Sequence, residues 1–195
     1  DNMFWTGSAW QTDLVWLPTA LENPTPGLFG PTAAEWRRAV GTLSYVDGAA
    51  YQIRARSWDR AGNSALSEVT TFRFDTTVPA STVITPTSQS AIKSTLRAEG
   101  VATDTVGIAQ VQVYLRRSGD GLYWNGTTWQ ATLAWVPTAL ETVSQSNYGP
   151  TSVRWRRTSW PTLSNGESYW LRAHSTDKAG NVGLSATSPF IFDTV

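Results

Sequence analysis

Apolar and polar residues alternate with a period of two along residues 108–116. Val111, Val113 and Leu115 take one parity, and Gln110, Gln112 and Tyr114 the other. Residues 169–175 repeat the pattern, with Tyr169, Leu171 and Ala173 against Trp170, Arg172 and His174. That period marks half-buried β-strands, so Val113 and Leu171 are expected to face a core and Gln112 and Arg172 to face out. "FRF" at 72–74 and "FIF" at 190–192 continue the pattern and place Phe192 inward. Asn125-Gly126, inside "WNGTTW", is a strong hairpin signal. Pro86, Pro137, Pro161 and Pro189 punctuate the apolar runs, and proline belongs at strand ends and edges. "PTALE", at 18–22 and 137–141, has a helical local preference but the length of a turn. Many short strands spaced by turn residues predict an all-β chain folded as antiparallel sandwiches.

The pattern also repeats at long range. "FWTGSAWQ" at 4–11 matches "YWNGTTWQ" at 123–130, "WLPTALE" at 16–22 matches "WVPTALE" at 135–141, and "WRR" recurs at 36–38 and 155–157. Residues 51–77 and 169–195 share 14 of 27 positions. The offset is 119 up to Arg38 and 118 from Tyr51, so one residue was gained or lost between them. So many identities in register mean duplication. Residues 78–119 have no upstream counterpart. The chain therefore reads as one full repeat, 78–195, preceded by the later part of another, 1–77, whose early strands are missing.

Composition narrows the classes of function. Fifteen basic residues balance fifteen acidic ones, which gives no basis for nucleic-acid binding or a polybasic membrane contact. There is no cysteine, so disulfides, thiolate metal sites and a cysteine nucleophile are excluded. No apolar run approaches the roughly 18 residues of a membrane span. Enzyme signatures are missing: the single histidine, His174, stands on the outward parity of its strand, where the other repeat has Arg56, and no serine lies in a G-x-S-x-G elbow. A non-enzymatic role follows.

"YQIRARSWDRAGN…FRFDT" and "YWLRAHSTDKAGN…FIFDT", with "VP" and a fresh "VITPT" after the first, resemble the bacterial immunoglobulin-like repeats of large secreted and surface adhesins. "ATDTVGIAQVQVYL" at 102–115 resembles the second and third strands of such a domain. The resemblance implies tandem immunoglobulin-like sandwiches, the first truncated at its N-terminus. It also implies an extracellular or cell-surface location on a bacterium and a spacer role in a stalk. Neighbouring repeats, in the same or an adjacent chain, are the implied partners. Two alternatives stand beside it. Exposed aromatics would make the chain an adhesion module for a glycan or a surface protein. Strand donation to the incomplete first repeat would make it a filament subunit.

"DRAGN" at 59–63 returns as "DKAGN" at 177–181. Its simplest reading is a turn, with glycine free to take positive φ and the Asp and Asn side chains bonding nearby backbone amides. Related adhesin repeats hold calcium where one repeat meets the next, and the matching positions here are Asp75, Asp104, Asp177 and Asn181. Calcium takes six to eight hard oxygens, and a divalent ion would relieve the repulsion of three carboxylates. Lys178 is the competing source of positive charge. The 11 tryptophans read chiefly as packing, with Arg154, Arg156 and Arg157 placed to stack near Trp155 and Arg172 beside Trp170. A glycan platform is the other use of such aromatics.

Overall fold

The computed structural model describes residues 3–39, 41 and 43–195, and every regular element among them is a strand. Contacts divide the chain into two compact units. The described residues up to Val46 join Tyr51–Phe72 in one; Asp47–Ala50 join Arg73–Val195 in the other.

The first unit is built of short antiparallel pairs. They are β1 (Phe4–Trp5) with β2 (Trp10–Gln11), β3 (Ala20–Thr25) with β4 (Ala33–Arg37), β5 (Ala50–Ile53) with β8 (Thr70–Arg73), and β6 (Arg56–Trp58) with β7 (Ser64–Leu66). Each remains a two-stranded ladder. Trp36, Ile53 and Phe72 are exposed on them, Trp36 to 47% and Ile53 to 45%.

The second unit holds β9 (Ala80–Thr85), β10 (Ser90–Ile92), β11 (Ala98–Thr103), β12 (Ile108–Arg117), β13 (Tyr123–Trp124), β14 (Trp129–Gln130), β15 (Val136–Pro137), β16 (Ala139–Ser146), β17 (Gly149–Arg157), β18 (Ser168–Asp177), β19 (Val182–Leu184) and β20 (Ser188–Phe192). One sheet runs β16-β17-β11-β9. The other runs β10-β20-β18-β12-β13-β14, with β15 also on β12 and β19 also on β18. All pairs are antiparallel except β10 with β20. Two such sheets in this order make an immunoglobulin-like sandwich. Tyr169 adds a mark of that fold: its hydroxyl accepts the Ser164 N–H at 2.9 Å, tying the start of β18 to the chain five residues upstream.

The alternation read from sequence sets the core. Val111, Val113 and Leu115 of β12 and Tyr169, Leu171 and Ala173 of β18 are buried together with Val153, Trp155 and Phe190, and Phe192 packs against them from the margin. Gln112 and Arg172 take the other face, half-buried. Trp155 is 1% exposed, and it fits because Gly100 lies beside it. A Cβ on Gly100 would stand 2.4 Å from the indole and 1.9 Å from the Thr82 carbonyl, so no other residue can occupy that position without displacement.

The hairpin forms as expected. Trp124 pairs with Trp129, and the Asn125 carboxamide oxygen accepts the N–H groups of Thr127 at 2.9 Å and Thr128 at 2.8 Å. In the first unit Thr6 does Asn125's work, accepting from Ala9 N at 3.0 Å. The glycines that follow, Gly7 and Gly126, take φ of 102° and 107°. "PTALE" differs from its local preference. Ala139, Leu140 and Glu141 open β16 opposite Arg156, Trp155 and Arg154, and Ala20, Leu21 and Glu22 pair likewise in β3. Cross-strand hydrogen bonds outweigh a helix preference too short to nucleate.

Burial makes a paired prediction. Leu171→Ala removes a side chain with no exposure, and a loss of about 2–5 kcal/mol is expected. Ile53→Ala, at the equivalent but exposed position, is expected to cost no more than about 0.5 kcal/mol. Urea unfolding of both variants is the measurement. Equal midpoints would mean that the inward phase of β18 is wrong.

Candidate functional site

The recurring pentapeptide is a turn in both places. Asp177 N–H bonds to Asn181 O at 3.1 Å, Asn181 N–H to Asp177 Oδ1 at 2.8 Å, and the Asn181 amide to Asp177 Oδ2 at 2.8 Å. Asp59 and Asn63 repeat all three at 3.0, 2.8 and 2.7 Å. Aspartate accepts from backbone and side chain of the asparagine four residues on, and the Gly62 and Gly180 φ values of 89° and 95° let the chain reverse between them. The Asn63 amide and N–H hold the Asp59 carboxyl below its usual pKa.

What separates the copies is the surroundings. Asp59 is exposed, whereas Asp177 is buried at the end of β18. Two further carboxylates reach it: Asp104, just past β11, and Asp75, just past β8. One oxygen from each of the three lies within 4.8 Å of the others. Asp75 is 7% and Asp104 8% exposed, and the Oδ2 atoms of both are buried without a hydrogen-bond partner.

The other oxygens explain how these side chains are aimed. Asp104 Oδ1 accepts the N–H groups of Val106 at 2.7 Å and Gly107 at 2.8 Å, while Asp75 Oδ1 accepts Thr77 N–H at 3.1 Å. Each backbone bond fixes one oxygen, and the second stays buried without a donor. Asn181 stands at its edge, its amide N–H reaching Asp177 Oδ2 and, at 3.1 Å, the Asp75 carbonyl. All four residues picked out by sequence are thus brought together within the second unit. Lys178 forms no ion pair with them among the described residues. Its N–H bonds Gly107 O, and its aliphatic stem lies against Gly107 and Gly149.

At this spacing, like charges repel by roughly 3–4 kcal/mol per ionised pair at an effective dielectric near 20. Burial first, then the charges of Asp104 and Asp177, push the Asp75 pKa up. Three buried carboxylates with no imidazole or thiolate among them form a hard donor set, suited to calcium or magnesium rather than zinc.

Sequence reasoning passed over Asp47. Its carboxylate accepts Thr76 N–H at 2.6 Å and the hydroxyls of Thr76 and Thr77 at 2.9 Å each, clamping the segment that follows Asp75. Asn165 does the same for Thr194, at 2.7 Å from the N–H and 2.9 Å from the hydroxyl. The signal was available: Asp47-Gly48 and Asn165-Gly166 stand at the same point of the repeat.

The tryptophans mostly pack, but in other arginine pairings than sequence adjacency suggested. Arg116 lies 4.6 Å over Trp170, Arg117 4.6 Å over Trp129, and Arg157 5.3 Å over Trp160. Arg56 stands between Trp16 at 4.5 Å and Trp58 at 4.1 Å. Immediate neighbours along a strand point to opposite faces, so stacking partners sit across the ladder, as Arg116 and Trp170 do, or two or three residues on, as Arg56–Trp58 and Arg157–Trp160 do. Trp155 is in the core, and Arg172 instead donates to the Ser185 carbonyl at 2.7 Å. His174, expected on a solvated face, stacks on Trp135 at 4.9 Å.

A family model described as a bacterial Ig-like domain matches residues 64–194. No curated protein matches the chain. Among solved structures, a point mutant of the SrpA adhesin from Streptococcus sanguinis is similar at 21% identity and a TM-score of 0.31. That alignment covers 60% of this chain and 58% of the adhesin chain, less than two thirds of the latter.

A pH dependence follows from Asp75. Its pKa is raised in the fold, so its contribution is fully present below the ordinary carboxylate range and is lost as pH rises through the raised value. In EDTA, Asp75→Asn is therefore expected to raise the melting temperature at pH 7 and to leave it little changed near pH 4. Thermal melts at the two pH values decide. A lower midpoint for the variant at pH 7 would show that the ionised carboxylate helps the apo fold.

Proposed function

The chain belongs to the bacterial Ig-like domain family, and from that premise we propose that it is a structural repeat of an extracellular bacterial surface protein, a spacer in a tandem array braced by calcium. The recurrence of one packing unit carries this reading. Trp124, Trp129, Tyr169 and Phe190 contact in sequence at 5.6, 6.1 and 5.6 Å. Trp5, Trp10, Tyr51 and Phe72 do so at 5.6, 5.9 and 5.6 Å. What recurs is a framework of packed rings and turns. A spacer needs such a framework many times over; an enzyme needs one site once.

In this reading successive repeats meet near Thr77–Val78, and Asp75 approaches the boundary from one side. Asp104 and Asp177 meet it from the other. The bare Oδ2 atoms of Asp75 and Asp104 support a cation there, since buried acceptors without donors call for a positive partner. Asp75, Asp104 and Asp177 would supply carboxylate oxygens, Asn181 would hold Asp177 and the Asp75 backbone in place, and backbone carbonyls and water would complete the shell. An open groove of about 310 Å³ is lined in part by Thr77, Thr103 and Asp104. The ion would join a linker to a sandwich and so limit bending between repeats.

One observation favours adhesion as a second reading. Trp170 is half-exposed and has Gln52 as its counterpart in the first repeat. It borders an open groove of about 320 Å³ that Gln89, Ser118 and Ser168 also line. A half-exposed indole beside uncommitted hydroxyl and amide groups suits a pyranose ring.

Calcium is expected to raise the melting temperature of the second unit, by the equivalent of about 2.7 kcal/mol at a hundredfold excess over Kd. EDTA is expected to reverse it, and Asp104→Asn to weaken binding. Calorimetric titration showing no uptake at millimolar calcium would remove the ion and leave the turn as the whole reason for "DKAGN". For adhesion, a glycan array probed with the chain and with Trp170→Ala gives the answer. Signal from the parent that the variant loses would favour that reading; equal signals would dismiss Trp170 as its basis.

A further inference from the structure

The groove beside Trp170 draws on both neighbours of β18. Trp170 is paired with Arg116 of β12 on one side and with Pro189 of β20 on the other. The Arg116 guanidinium lies 4.6 Å over the indole and 5.8 Å from the Tyr123 ring, and its Nε–H donates to the Gly121 carbonyl at 3.3 Å. A fixed cation thus backs the ring on the β12 side. On the β20 side the ring lines the groove together with Pro189.

Four polar side chains, Gln89, Ser90, Ser118 and Ser168, line the same groove. The Ser90 hydroxyl is buried and has no hydrogen-bond partner. A buried hydroxyl left unpaired is costly, and a ligand hydroxyl would satisfy it. Gln89 holds a φ of 64°, in the left-handed region that side chains seldom adopt, and its N–H is tied to the Pro189 carbonyl at 2.6 Å. Such strain persists only where the surroundings hold it, and here it keeps Gln89 in the lining. No residue of the lining is ionisable. Glu167, next to Ser168, is turned to the Gly119 N–H at 2.9 Å, and Arg116 stands behind the indole.

We propose that this groove binds one neutral hexopyranose residue of a surface glycan. The inference rests on the adhesion reading and gives its site a ligand class. The C–H face of the sugar lies on the free side of Trp170, and its hydroxyls meet Gln89 and the three serines. An acidic sugar is the poorer fit, because its carboxylate would enter a lining with no cation to pair it. The volume of about 320 Å³ stands at the small end of ligand sites, so one ring is held rather than a chain.

The site belongs to the second unit alone. Ser168, Trp170, Pro189 and Ile191 of the lining have Ala50, Gln52, Thr71 and Arg73 as counterparts in the first repeat. Only Phe190, matched by Phe72, recurs among the lining positions that have a counterpart. The difference is one of side chains, whatever strands lie beside them.

The test titrates the 195-residue chain with methyl glycosides and follows its amide and indole NMR signals. The neutral set is the glycosides of glucose, galactose and mannose and their N-acetylamino forms; the acidic probe is methyl glucuronide. At least one neutral glycoside is expected to shift the Trp170 indole N–H and the Gln89 side-chain amide, at one site per chain, with Gln52 unmoved. Trp170→Gln, the residue the first repeat carries there, is expected to abolish the shift. Ser90→Ala is expected to weaken binding about tenfold. Unchanged signals elsewhere in the spectra report that both variants fold. No shift with any neutral glycoside, or tighter binding of the glucuronide, would overturn the proposal. Array signal that Trp170→Ala loses would then leave adhesion standing with another ligand class, and a silent array would remove adhesion as well.

Discussion

The ladder between β12 and β18 is the interaction on which the second unit depends. Paired from Ile108–Asp177 to Arg117–Tyr169, it sets the phase in which Val111, Val113 and Leu115 face the same way as Leu171 and Ala173. Sheet pairing has a period of two, so a slip of one residue would put the two apolar sets on opposite faces and bring either Gln112 or Arg172 inward. β12 also carries β13 and β15, and β18 carries β19 and β20. The tryptophan hairpin, the aromatic chain through Tyr169 and the Asp177 turn therefore inherit their positions from one register. Where no equivalent of β12 is present, the same sequences form separate two-stranded ladders and their apolar faces stay wet.

The acidic cluster is the electrostatic consequence of that architecture. β11 ends at Thr103 and β18 at Asp177, so Asp104 and Asp177 are delivered to the same end of the sandwich, and Asn181 fastens the Asp75 backbone beside them. Asp75 and Asp104 each spend Oδ1 on backbone donors, and Asp177 spends both oxygens on Asn181. Those bonds hold the three side chains in place against their mutual repulsion, and the Oδ2 atoms of Asp75 and Asp104 stay buried without a donor. Repulsion of this kind opposes folding in the absence of a cation and becomes binding energy in its presence.

Duplication gives an internal control on which contacts matter to the fold. Asn125 and Thr6 close the same hairpin with different side chains, and Asp47 and Asn165 clamp the same threonine position, Thr76 and Thr194, one with a charge and one without. Arg157 and Arg38 reach the carbonyls of Pro137 and Pro18 at 2.8 and 2.5 Å. The geometry is held while the residues drift. Trp170, with Gln52 as its counterpart, does not recur and stands half-exposed on the outward face, where a function of one repeat alone can be placed.

Local chemistry was legible in the sequence by itself. Alternation at Val111, Val113 and Leu115, positive φ at Gly126 and Gly180, and the Asp-to-Asn bonds of the recurring turn depend on residues a few positions apart, and they follow from backbone geometry alone. So did membership of a repeat, because duplicated sequence survives in register. The outcome at "PTALE" was not legible, since its strand is imposed by hydrogen bonds to Arg154–Arg156, which local preference does not contain. Nor were the arginine stacks: Arg116 meets Trp170 only because two strands far apart in sequence are paired. Identical tryptophans at 36 and 155 end in water and in the core, respectively. Burial belongs to what lies across the sandwich, and that is a property of tertiary structure, not of the residue.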